Sequence, residues 1–151
     1  MRINSKACRI CQEVLPIASF YTRKDSKDGT RNSCKSCDKS TNIKNSRTKN
    51  GYLVKKYISM ARRVSGKDPT ARSCVGQPLL SKDEFISWSL NNPDFHYLFK
   101  EWQESGYRIK YAPSIDRIDE RFGYELWNMQ FISHSENVKR ANIFRNFNII
   151  V

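Results

Sequence analysis

Between residues 52 and 65 the apolar positions Leu53, Val54, Tyr57, Ile58, Ala61 and Val64 recur every three or four residues. That is the period of an amphipathic helix, and it predicts Lys55, Lys56, Ser59, Arg62 and Arg63 on the opposite side. Residues 66–80 carry Gly, Pro and Ser and read as a loop. A second helix is expected from Ser81, because Ser81-Lys-Asp-Glu84 has capping-box spacing ahead of Phe85, Ile86 and Trp88. Asn91-Asn92-Pro93 ends it. Pro93 then opens a third helix with Phe95, Leu98, Phe99 and Trp102 on one face and Gly106 as its stop. These aromatic rings are expected to be core, linking the two ends of the protein, and His96 among them is read as structural.

The last third changes period. Residues 114–119 predict a short strand, 120–124 a turn around Gly123, and 127–132 a second strand. Ser133-His-Ser-Glu136 repeats the capping-box spacing and opens a C-terminal helix. The first 45 residues differ from both: Ile10, Val14, Leu15, Ile17, Phe20 and Tyr21 are too few for an independent core, so this part needs a staple. The chain shows no internal repeat. It is expected to be α+β, with a cysteine-bearing module (1–45), a helical connecting region (46–106) and a C-terminal ββα unit (107–151).

Charge narrows the partner. The 151 residues hold 27 Lys and Arg against 15 Asp and Glu, a net charge of +12, which is the footprint of a polyanion binder. Double-stranded DNA is the expected partner, with Lys55, Lys56, Arg62, Arg63 and Arg140 as candidate contacts. The basic side of the 52–65 helix fits a solvated face as well as a DNA-facing one. No apolar run approaches the roughly 18 residues of a membrane span. The basic start MRINSKACRICQ lacks the apolar stretch of a secretory signal. The expectation is a cytoplasmic protein with no membrane partner; monomer and homodimer both remain open.

Cys8-x-x-Cys11 and Cys34-x-x-Cys37 form two knuckles 22 residues apart. Each places two thiolates on one side of a tight turn, and two such turns complete the tetrahedron that Zn²⁺ prefers. Nothing points to an oxidising compartment, which weighs against disulfides, and the βαβ context of a redox CxxC pair is missing. The expectation is a zinc-ribbon or knuckle module with one structural zinc. Lys6, Arg9, Arg23, Lys24, Lys27, Arg31, Lys35 and Lys39 crowd it and are expected to rest on phosphates. Cys74 has no partner motif and takes no role.

Pro113-Ser114-Ile115-Asp116-Arg117-Ile118-Asp119, Gly123-Tyr124, Asn128 and Ser133-x-Ser135-Glu136-Asn137 come in an order and spacing that resembles an HNH (His-Me finger) endonuclease of the small phage-borne kind. The resemblance covers residues 107–142. Phe20-Tyr21 through Gly29 to Cys34-Lys35-x-Cys37 is similar to the zinc module of such enzymes. It implies a ββα-metal motif and hydrolysis of phosphodiester bonds in duplex DNA, by nicking or double-strand cleavage, in a phage-encoded or homing nuclease. It further implies one catalytic Mg²⁺ or Mn²⁺ held by Asp116 and Asn137, with Asn128 steadying the loop between the strands.

One position departs from the pattern. The family's general-base His falls on Arg117, and a guanidinium cannot accept a proton from water. Three readings follow. Another group is the base, with His134 first and Asp119 second; or metal-bound water reacts unaided while Arg117 clamps phosphate; or the protein only binds DNA. A non-catalytic zinc-containing DNA-binding protein and a junction-resolving nuclease are the alternatives.

Overall fold

The computed structural model describes residues 4–70 and 72–147. The chain is mixed α+β and falls into two compact units, Met1–Thr48 and Lys49–Val151. Its described strands pair into three small antiparallel two-stranded sheets. No helix among the described residues is long and apolar enough to cross a membrane.

In the first unit, β1 (Ser5–Ala7) pairs with β2 (Val14–Pro16), and β3 (Phe20–Thr22) pairs with β4 (Thr30–Cys34). Helix α1 (Lys35–Ser46) follows directly, its N-terminus capped by the Cys34 thiol, which accepts from the Cys37 N–H at 3.5 Å. The buried cluster is only Cys8, Phe20 and Cys34, with Leu15 and Cys37 packed on it. Thiols therefore replace the aliphatic core that the composition cannot supply. Several of the basic residues expected on phosphate are engaged within the unit. Lys6 pairs with Asp28 at 2.6 Å, Arg23 with Asp25 at 2.8 Å and Arg31 with Asp38 at 3.2 Å, while Lys35 Nζ donates to the Ala18 carbonyl at 2.7 Å.

The second unit contains α2 (Lys49–Val64), α3 (Lys82–Leu90), α4 (Pro93–Glu104), β5 (Pro113–Arg117), β6 (Met129–Ser133) and α5 (His134–Phe147). Both bonds of the Ser81/Glu84 capping box are made, and the Asn92 side chain caps α4 at Asp94 and Phe95. Phe95, Phe99 and Trp102 pack within this unit, in one core with Tyr52, Leu53, Met60, Phe85, Ile115 and Phe131. Trp88 stacks on Phe131 with centroids 5.1 Å apart, and Tyr52 lies 4.7 Å from Trp102. The Tyr52 hydroxyl donates to the Pro113 carbonyl, fastening α2 to the start of β5. Cys74 is buried in the same core. His96 is structural: Nε2 donates to the Leu90 carbonyl at 2.7 Å, leaving Nδ1 to accept from Lys49 Nζ at 2.7 Å.

The strands of this unit are shifted from expectation. β5 ends at Arg117: the Ile118 N–H still reaches the Asn128 carbonyl in register, but the Asp119 N–H leaves the ladder for the Asn128 side chain. Residues Leu126–Asn128 form a 3₁₀ turn, so β6 begins at Met129. Between the strands the chain closes on Pro78, whose carbonyl accepts from the Tyr124 N–H at 2.8 Å. A Cβ at Gly123 would sit 2.1 Å from that carbonyl oxygen, so close approach is what demands glycine there.

Candidate functional site

The four knuckle cysteines converge. Their Sγ atoms all lie within 4.8 Å of one another, against the sulfur spacing of about 3.8 Å that a tetrahedron with 2.3 Å Zn–S bonds requires. Backbone amides point at the sulfurs: Ile10 N–H and Cys34 N–H donate to Cys8 Sγ at 3.4 and 3.2 Å. The amides of Cys11 and Cys34 lower the Cys8 thiol to about 6. Cys37 is pushed up to about 12, first by the hydrogen bond it shares with Cys34 and then by burial. Four adjacent thiols cannot all ionise without a cation to offset their charge. No cysteine is in a disulfide, and all four donors are soft sulfur. This is a four-cysteine cluster compatible with a structural zinc site.

The second unit carries a cleft of about 450 Å³ that gathers Asp116, Arg117, His134 and Asn137. Asp116 stands near the end of β5, opposite Gln130 in the antiparallel register. Its Oδ2 accepts from Gln130 Nε2 at 2.8 Å and pairs with the Arg140 guanidinium at 3.3 Å. Arg140, expected on DNA, is therefore directed at a carboxylate on the neighbouring strand. Asn137, three residues earlier on the same face of α5, donates through Nδ2 to Ser114 Oγ at 2.6 Å and to the Ile115 carbonyl at 3.5 Å. That arrangement leaves its Oδ1 without a donor among the described residues. Ser133 Oγ caps the start of α5 by accepting from the Glu136 N–H at 3.2 Å. The half-buried His134 ring lines the cleft with no hydrogen-bond partner among the described residues.

Arg117 and Asp119 are otherwise occupied. Arg117 donates from one guanidinium nitrogen to the carbonyls of Glu120 and Phe122, both at 2.9 Å, and from another to Ser73 Oγ at 3.1 Å. It braces the loop after β5. Asp119 lies beyond the strand and grips Arg121 at 2.7 Å, which lowers its carboxyl to about 2 and leaves it a poor proton acceptor. Asn128 has no exposed surface; its Oδ1 accepts from Asp119 N–H at 2.8 Å, and its Nδ2 donates to the Asp119 and Gly123 carbonyls at 3.0 and 2.9 Å.

The basic residues of α2 divide between two faces. Lys55 and Arg62 line an outward hollow with Ile58, which is 53% exposed and not on the buried side. Lys56 and Arg63, seven residues apart and so on one stripe, line the cleft instead. The stripe includes Tyr52 and Met60, both buried, and Lys56 Nζ lies 5.2 Å from the centre of the Tyr52 ring. Burial and the neighbouring Arg63 charge lower the Lys56 ammonium to about 8.

No family model, curated protein or solved structure matches this chain. Gln130 and Arg140 as partners of Asp116, and Ser114 as partner of Asn137, escaped sequence reasoning. The one available signal was spacing: Arg140 follows Asn137 by three residues and must share its helix face.

Proposed function

We propose that this chain is a divalent-metal-dependent endonuclease that hydrolyses phosphodiester bonds in duplex DNA, with one structural zinc on Cys8, Cys11, Cys34 and Cys37. The observation that carries the reading is the shared cleft of Asp116, His134 and Asn137, with Lys56 and Arg63 along its α2 side. The donor set fits a hard cation: a carboxylate positioned by Gln130 and an amide whose nitrogen is committed elsewhere, leaving oxygen to bind. Asp116 and Asn137 would hold Mg²⁺ or Mn²⁺, which supplies charge stabilisation at the phosphoryl oxygens and makes bound water more acidic.

The chain's own residues do the rest. His134, with a ring nitrogen uncommitted, takes the proton of the attacking water, the role assigned to a His where this sequence has Arg117. Arg117 and Asn128 hold the β5–β6 connection from its two sides, which keeps Asp116 in register with Gln130. Arg140 offsets the Asp116 charge when no other cation does so. The resemblance of residues 107–142 to the HNH endonucleases supports the same assignment.

Cleavage of supercoiled plasmid with added Mg²⁺ and with EDTA tests it. Nicking should require the metal, vanish in Asp116→Ala and Asn137→Ala, and fall about 10²-fold or more in His134→Ala. The Arg140–Asp116 pair favours a second reading, a DNA-binding protein in which an internal cation has replaced the metal. Salt-sensitive DNA binding with no cleavage under any divalent metal, on plasmid or four-way junction, would establish that reading and overturn the first.

A further inference from the structure

The α2 side of the cleft holds two cations, Lys56 and Arg63, of which only Arg63 has a carboxylate partner among the described residues. Lys56 is half-buried, its ammonium lies 5.2 Å from the centre of the Tyr52 ring, and it has no carboxylate partner among the described residues. Arg63 pairs with one carboxylate, Asp68, at 3.8 Å, and its guanidinium donates to the Tyr124 hydroxyl at 3.4 Å. Partly buried cations ordinarily come with a paired anion, because removing them from water is otherwise uncompensated. Here two like charges converge on one hollow, and burial first, then the Arg63 charge, lower the Lys56 ammonium. The other cations of the cleft are engaged, Arg117 on carbonyls and Arg140 on Asp116. Ser73 Oγ, on the cleft surface, accepts from Arg117 and keeps its own hydrogen to donate.

We infer that Lys56 and Arg63 form a binding site for the phosphate group of a phosphodiester, on the α2 side of the cleft. In its link to catalysis the inference rests on the nuclease reading: α2, rather than Arg117, holds the phosphate that Asp116 and Asn137 address through a metal. The binding site itself does not depend on cleavage. Two donor groups of different geometry, a guanidinium fork and a rotatable ammonium, suit a diester with two free oxygens.

The test is an NMR titration of the full zinc-loaded chain with dimethyl phosphate, and separately with inorganic phosphate, without added divalent metal. The lysine side-chain signals of Lys55 and Lys56 are followed. The expected result is a saturable Lys56 shift with both probes and a much smaller, non-saturating change at Lys55. Arg63→Met should weaken the Lys56 response at least tenfold, while Arg63→Lys keeps most of it; unchanged tryptophan emission certifies that each variant is folded. Parallel, non-saturating movement of Lys55 and Lys56 would reduce the effect to ionic screening and overturn the site. A response to inorganic phosphate alone would overturn the diester assignment. Because no bond is cut in this titration, its failure is distinguishable from loss of the plasmid-cleaving activity.

Discussion

Asn128 is a fully buried polar side chain that bonds one N–H and two carbonyls of the turn it closes. Truncating it leaves those groups without partners, the Gly123 carbonyl buried and the two Asp119 groups part-buried. Asn128→Ala should therefore destabilise the second unit by about 2–4 kcal/mol, since each orphaned buried group costs about 1–3 kcal/mol. Urea denaturation read by tryptophan emission measures this, and a loss below about 0.5 kcal/mol, the range of neutral surface changes, would contradict it. Asn128 as a loop residue was visible only through the family resemblance, since no periodicity marks a buried amide. Asp116 and Asn137 were singled out in the same way. What Asp116 touches was not: Gln130 reaches it through a register set by turn length, and Arg140 through a strand–helix contact. Arg117 looked like a free cation in sequence because the carbonyls it braces, at Glu120 and Phe122, carry no side-chain signature.

At the scale of elements, what local chemistry writes was readable. The Ser81 capping box and Pro93 at a first turn are local signals, and both helices start where they put them; the Asn92 cap of the second was not anticipated. Ser81→Ala removes one half of a complete capping box and should cost about 1 kcal/mol, checked by the thermal midpoint; an unchanged midpoint would mean that tertiary packing alone sets the start of α3. Helix α1 was not readable. Its sequence KSCDKSTNIKNS has one large aliphatic residue, Ile43, which is exposed, and the helix buries none of its residues, so it leaves no hydrophobic period to find. Helix α2 was found, but its faces were misallotted. Periodicity alone counts Ile58 as inward and every cation as outward, whereas a cleft lets Lys56 and Arg63 share the stripe of Tyr52 and Met60.

The whole molecule joins two units with different sources of stability. The first depends on its sulfur cluster, while the second has an aromatic core of its own. All three tryptophans, Trp88, Trp102 and Trp127, lie in the second, which makes their emission a selective probe. Removing zinc with a thiol-reactive reagent should release about one equivalent and erase far-UV signal from the first unit, with tryptophan emission unchanged. A red shift accompanying metal loss would show instead that both units melt together. Under the proposed nuclease activity, the bond from Tyr52 to the Pro113 carbonyl would bear on a different property, the choice of substrate. It ties the helix carrying Lys56 and Arg63 to the strand carrying Asp116, so the two sides of the cleft travel as one body. On the proposed reading of a duplex substrate, a mouth braced in this way would resist widening, and the deformation would fall on the DNA. Sequences rich in pliable pyrimidine–purine steps would enter most cheaply, giving the protein a preference among sites without a single base being read.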